Sequence, residues 1–287
     1  MCPQILSFRN SYANYYYCLE CEEVDNYVGC SGWSYDGWLG HFYPSNLERK
    51  DSLKYYSQVF DFVEIDSSFY NAPNILMTKR WASITPDNFR FTAKFPRLIT
   101  HEKRLASPDS EKELHYFFDV MRPLRAKLLA LLLQLPPSLT AKEGLKKLET
   151  LIHMLDTDFR YAIEIRHKSW FDNKDFYNLL SENNICLAWS QLDTIQTPAE
   201  LTSDFVYLRF IGDRSIDERN FGRIQKDRTK ELKMWSDSLD RLKEKAKLAI
   251  VAANNHYAGF GPATANSFRK MVGLKEVVWE EMKQKRL

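Results

Sequence analysis

Several features are scarce in this 287-residue chain, and each scarcity excludes something. There are only ten glycines, and no Gly-x-Gly-x-x-Gly follows the first apolar run. That weakens an open dinucleotide-binding sheet, which needs the fingerprint for its phosphate turn. The formal net charge is only +2, so no chain-wide basic footprint marks a nucleic-acid partner, although a local patch stays open. No stretch approaches the ~20 apolar residues of a membrane-spanning helix, and the opening MCPQILSFRNSYANYYY lacks the basic-then-apolar order of a secretory signal. The expectation is a cytoplasmic protein with no membrane partner. The five cysteines (Cys2, Cys18, Cys21, Cys30, Cys186) are odd in number and scattered, which fits reduced thiols rather than a disulfide framework. Cys18 and Cys21 form one C-x-x-C, with no second pair of ligands nearby to complete a zinc site. Repeats and low-complexity linkers are also missing, so one domain is expected.

What the chain does have is alternation. Short apolar or β-branched runs occupy Tyr27–Trp33, Phe62–Phe69, Phe89–Phe95, Leu128–Leu135, Tyr161–His167, Ile185–Ser190, Phe205–Gly212 and Leu248–Asn255. Amphipathic helical patterns separate them, except between the sixth and seventh runs. Eight such units predict an α/β fold, a single (β/α)8 TIM-like barrel over 27–274. Residues 1–26 then form a short N-terminal extension and 275–287 a C-terminal tail. Tyr15, Tyr16 and Tyr17 in the extension are available to pack onto the barrel.

In such a barrel the site is built from the C-terminal ends of the strands. Side chains alternate along a strand, so Glu64 and Asp66 share one face of the second strand, and Glu164 and Arg166 one face of the fifth. Val63, Ile65, Ile163 and Ile165 then face the helices. Lys94, Gln134, Arg209 and Asn254 stand near the ends of strands three, four, seven and eight. Charges inside a barrel are costly unless paired, so this ring either pairs internally as a structural layer or waits for a polar ligand. Loops at the same end add Trp33, Tyr35, Trp38, Phe69, Tyr70, Arg97, His101, His167, Trp170 and His256. An aromatic rim over a charged floor suits a small hydroxylated or heterocyclic ligand. After the eighth strand, NNHYAGFGPATAN feeds two glycines and Pro262 into a helix, a place where barrels hold phosphate.

The segments CSGWSYDGW with HFYP downstream, VEIDSSFY, FTAKFPRLITH followed by a Lys-Arg pair, LLLQLPPS, AIEIRHKSW, YLRFIG and NNHYAGFGPATAN resemble, in that order, the motifs of the DUF72 (YecE-like) family. The resemblance spans Tyr27 to about Leu274 and implies a TIM barrel, with no established activity attached. It carries the family's recurring positions onto Ser31, Gly32, Trp33 and Trp38, then Glu64, Ser68, Phe69 and Tyr70. Lys94, Pro96, His101, Gln134, Pro136 and Pro137 continue the series. Glu164, Arg166, His167, Trp170, Arg209, Asn254, Asn255 and Asn266 complete it. Asp66 stands where the family usually has Asn, and His256 where it commonly has Asp.

Glu64, Glu164, Lys94 and His167 are thus the expected catalytic groups. Asp66, Tyr70, Arg97, His101, Gln134, Arg166, Arg209, Asn254, Asn255 and His256, with Trp33, Tyr35, Trp38 and Trp170, are the expected ligand contacts. Acid-base chemistry by the two glutamates, with Lys94 and Arg166 holding a small polar or anionic substrate, would make a hydrolase or an isomerase or lyase. Glycoside hydrolysis would use the same carboxylate pair. Lys94 also offers imine chemistry. No cofactor is evident; a divalent ion on Glu64, Glu164, His167 and His256 is an alternative that Lys94, Arg166 and Arg209 would oppose. The contrasting reading is a single-stranded nucleic-acid module that stacks bases on Trp33, Tyr35, Trp38 and Trp170.

Overall fold

An apolar run buried on both faces, such as LLALLLQ, suits a strand of a covered parallel sheet, and the computed structural model has nine strands among the described residues, all parallel. It describes residues 24–102, 105, 110–212, 215–242, 244–280 and 283. The expectations for Tyr15 to Tyr17, the Cys18/Cys21 pair and the Lys103-Arg104 pair lie outside the described residues. The strands are β1 (Asp25–Ser31), β2 (Phe62–Ile65), β3 (Arg90–Lys94), β4 (Leu128–Gln134), β5 (Tyr161–Glu164), β6 (Cys186–Leu187), β7 (Trp189–Leu192), β8 (Phe205–Gly212) and β9 (Leu248–Ala253).

Their order is β6-β5-β4-β3-β2-β1-β9-β8-β7. β6 and β7 stand at opposite ends of that order, yet only Ala188 separates them in the chain. The sixth predicted strand therefore pairs first with β5 and then with β8, which closes the sheet into a barrel. Helices α1 (Ser52–Val59), α2 (Ile75–Ile84), α3 (Ser110–Met121), α4 (Ala141–Ile152), α5 (Lys174–Glu182), α6 (Thr229–Asp240), α7 (Asn255–Ala258) and α8 (Gly261–Met271) follow the strands in turn. Residues 193–204, between β7 and β8, carry no helix, as the sequence predicts.

Local chemistry sets the helix starts. Asn74, Thr140 and Asn173 each accept an amide hydrogen bond at the N-caps of α2, α4 and α5, worth about 1 kcal/mol apiece. In α4, Gly144, Leu148, Leu151 and Ile152 are buried, a helical stripe laid on the sheet. The alternation predicted for the strands holds. Val63, Ile65, Ile163 and Ile165 pack outward with the helices, while Phe62, Leu132, Ala162, Tyr207, Ile250 and Ala252 fill the barrel interior.

The expected C-terminal tail is partly held down. Asn266 Nδ2 donates to the Val277 carbonyl (3.1 Å), and the Val277 amide returns a bond to Asn266 Oδ1 (2.8 Å). Trp279 sits against Phe42, with ring centres 5.6 Å apart. Among the described residues no helix is long and apolar enough to cross a membrane.

Candidate functional site

The deepest polar layer lies where strand alternation turns charged side chains inward. Ser31, paired in register with Glu64, donates to Glu64 Oε1 (2.6 Å). Tyr207, two residues before Arg209 on β8, donates to Glu64 Oε2 (2.5 Å). Arg209 adds Nε to Oε2 (2.7 Å) and Nη2 to Oε1 (2.6 Å), so each Glu64 oxygen accepts two hydrogen bonds. The same guanidinium donates through Nη1 to Glu164 Oε2, and Arg166 Nε donates to Glu164 Oε1. Arg166 Nη2 also reaches Gln134 Oε1 (3.2 Å), whose strand position is the register partner of Glu164.

Both glutamates are fully buried and Arg209 is 2% exposed. Burial by itself would raise the Glu164 carboxyl, but Arg166, Arg209 and Lys94 outweigh it and hold the group at about 2. Glu64 is likewise lowered: burial opposes ionisation, and Arg209, Ser31 and Tyr207 prevail. At neutral pH both are carboxylates, Glu64 accepting two hydrogen bonds at each oxygen and Glu164 one charge-assisted bond at each.

One layer higher the satisfaction stops. Lys94 ends β3, its backbone held by Ser68, whose Oγ lies 2.6 Å from the Lys94 carbonyl and accepts from its amide (3.1 Å). Its side chain is 8% exposed, yet among the described residues the ammonium has one ion pair, with Asp66 at 3.5 Å. Below it is the Phe69 ring, 4.0 Å from Nζ to the centroid. Burial lowers the Lys94 pKa, and Arg209 adds to the effect against the pull of Asp66, Glu164 and Glu64. His101 packs edge-on to Phe69, and its Nδ1 lies 2.8 Å from Thr100 Oγ1. Burial, then Lys94, Arg97 and Arg166, push its pKa down to about 4, which leaves a neutral imidazole at pH 7. Arg97 is half-exposed, 3.6 Å from Glu102.

These groups line a cavity of about 1100 Å³ at the C-terminal mouth. Asp66, Lys94, Arg97, His101, Gln134, Arg166 and Arg209 form its charged side; Trp33, Tyr35 and Tyr70 are its expected aromatic wall; Asn254 and His256 close the far side. His256 Nε2 lies 3.2 Å from Glu218. Twelve of the expected residues are thus brought to one cavity. Glu64 and Glu164 lie beneath it.

Three expected contacts and one expected catalytic group, His167, lie elsewhere. Trp38 is fully buried, stacked among Phe42, Tyr43 and Tyr56, and its Nε1 donates to Asn255 Oδ1 (3.0 Å). Asn255 is 1% exposed and occupied by that bond and by the Gly261 amide (2.8 Å). Trp170 is buried on Phe176 and donates to the Leu139 carbonyl (2.8 Å). His167 caps the short helical turn Lys168–Trp170, accepting the Ser169 amide at Nδ1 (3.1 Å), and is not a wall of the cavity. The expected phosphate seat after the eighth strand is also absent from the cavity wall: Gly261 and Pro262 are buried, and the free amide at the start of α8 is taken by Asn255. Nor are Glu64, Glu164, His167 and His256 gathered into a ligand set, and no group of three or more His, Cys, Asp or Glu suited to a metal occurs among the described residues.

Sequence reasoning missed Ser31 and Tyr207 as partners of Glu64, and Met77 and Trp81 as cavity walls. Tyr207 shares the parity of Arg209 on its strand, which is the signal that would have found it. Trp81 lies on a helix and reaches the mouth by packing edge-on to Trp33 (5.4 Å between ring centres), which no spacing announces.

The model of the family described as "Protein of unknown function DUF72" matches residues 27–286. The chain is 26% identical to UPF0759 protein YunF of Bacillus subtilis, over 91% of this chain and 98% of that one. UPF0759 protein YecE of Escherichia coli is 32% identical over 148 residues, half of each chain. Among solved structures, a DUF72 family protein from Thermotoga maritima superposes with a TM-score of 0.74 at 29% identity, covering 86% of this chain and 99% of that one. One from Enterococcus faecalis gives 0.71 at 23% identity, covering 88% and 100%.

Proposed function

The chain belongs to the DUF72 family, and from that premise, which supplies a barrel and no reaction, we propose that it is a cytoplasmic enzyme acting on a small polar, anionic substrate at the barrel mouth. The observation that carries this reading is Lys94. A buried ammonium needs acceptors, and this one has a single carboxylate at 3.5 Å and otherwise an aromatic ring and the cavity. Arg166 and Arg97 stand at the same mouth and can clamp a carboxylate or phosphate. The glutamates serve as fixed counter-ions to Arg209 and Arg166, because buried carboxylates so paired and so acidic make poor proton carriers near neutral pH. Proton transfer falls instead to Lys94, Asp66 and the neutral His101, which meet the ligand directly.

A single-stranded nucleic-acid ligand fits less well: of the four rings expected to stack bases, Trp38 and Trp170 are buried. The test is thermal stability against free sugars, 2-oxo acids, sugar phosphates, nucleotides and short oligonucleotides. A ligand at 100 times its dissociation constant adds roughly 2.7 kcal/mol of stability. Stabilisation by a small anion that disappears in Lys94→Met and in Arg166→Gln is expected. Stabilisation by oligonucleotides alone, fading steeply with salt, would overturn the reading.

A further inference from the structure

We propose that Lys94 is a covalent catalyst, whose amine condenses with the carbonyl of a small anionic oxo compound, a 2-oxo acid or a phosphorylated ketose, to form an imine. This rests on the anionic-substrate reading above and names the reacting group of that substrate.

Geometry argues for it in three ways. The amine is at the end of a barrel strand, its side chain 8% exposed and lining the cavity, so a carbonyl entering the mouth meets an amine stripped of most of its water. It is backed by the Phe69 face and is not locked in a saturated ion-pair network. Its charged neighbours divide usefully: Glu64 is engaged by Arg209, Ser31 and Tyr207 and Glu164 by Arg209 and Arg166, and among the described residues Asp66 is the carboxylate in ion-pair contact with the amine. The lowered Lys94 pKa agrees with this, since only the unprotonated amine attacks.

The step balances without any further reactant. The ammonium passes one proton to Asp66, and the freed nitrogen lone pair forms the N–C bond while the carbonyl π pair moves to oxygen. A second nitrogen proton passes to that oxygen to give the carbinolamine. The hydroxyl then takes the proton back from Asp66 and leaves as water while the nitrogen lone pair makes C=N, so the product is a protonated imine and Asp66 is again a carboxylate. No electrons are exchanged. Arg166 holds the carboxylate or phosphate through the donors it does not spend on Glu164 and Gln134.

Reductive trapping tests it. The protein is incubated with pyruvate or with dihydroxyacetone phosphate in the presence of cyanoborohydride, and intact mass and peptide maps are read. A single adduct with the mass of the probe less one oxygen atom, mapped to Lys94 and missing from Lys94→Arg, is expected. Which probe is captured tells a carboxylate-bearing from a phosphate-bearing substrate. Adducts spread over surface lysines, or equal labelling of Lys94→Arg, overturn the proposal. So does the absence of any Lys94 adduct while small anions still stabilise the protein; in that case the binding reading survives by itself. If no small anion stabilises the protein, the substrate reading has failed instead.

Discussion

The floor and the mouth of this barrel are built from the same residue types and differ in how completely they are satisfied. On the floor, Glu64, Arg209 and Glu164 meet in charge-assisted hydrogen bonds and are closed to solvent. At the mouth, among the described residues, Lys94 has one carboxylate, at 3.5 Å, and Arg97 an exposed one. A buried charge with all its partners present holds a structure together. A buried charge short of partners is a standing cost, tolerated where something else completes it. The contrast separates scaffold from site without any appeal to motif.

The comparison can be broken or sharpened by four measurements, taken from the largest effect down. Arg209→Met leaves two buried carboxylates without their common cation and should cost about 3–5 kcal/mol or prevent folding, read as the urea midpoint and the soluble yield. A loss under about 1 kcal/mol would falsify the scaffold role of the floor. Next is acid. Glu164 sits at about 2 in the fold against 4.5 for an ordinary glutamate, so its contribution is complete above pH 4.5 and fades as the pH falls toward 2. That is of order 3 kcal/mol, and the slope of stability against pH in this window should flatten in Glu164→Gln. Trp38→Phe keeps the ring packing but removes the indole bond to Asn255 Oδ1, which retains the Gly261 amide, for about 1 kcal/mol. Smallest of all, Lys94→Met should change stability by less than about 1 kcal/mol, or raise it, while removing the response to small anions. A severe loss of stability in Lys94→Met would move Lys94 to the scaffold side.

Much of this was legible from the sequence, because period-two alternation is a strong signal. It put Glu64 and Glu164 inside and Val63 and Ile163 outside, and it counted eight strand-bearing runs, the sixth of which the structure divides into β6 and β7. The break at Ala188 was not legible: ICLAWS reads as one apolar run, and its change of partner depends on barrel closure. Trp38 and Trp170 could not be told from Trp33 as rim residues either. Each is buried by partners distant in sequence; for Trp38 the decisive acceptor, Asn255, is 217 positions away. The role of His167, by contrast, was within reach, since Ser169 two residues on makes it a local cap. The resemblance did not distinguish residues buried in the barrel from those that line the cavity.

Ala188 has a consequence for how the molecule breathes. Because one strand changes neighbours there, the cylinder has no exposed edge for another chain to pair with, but it has a seam. Across β5 and β6 only two residue pairs are in register, whereas β1 and β9 share six. Amide protons along the seam should exchange with deuterium long before those of the β8-β9-β1 wall, which marks where the native state first opens. That wall joins the first described strand to the ninth, so its pairing closes the longest span of chain in the barrel, a kind of contact that forms slowly.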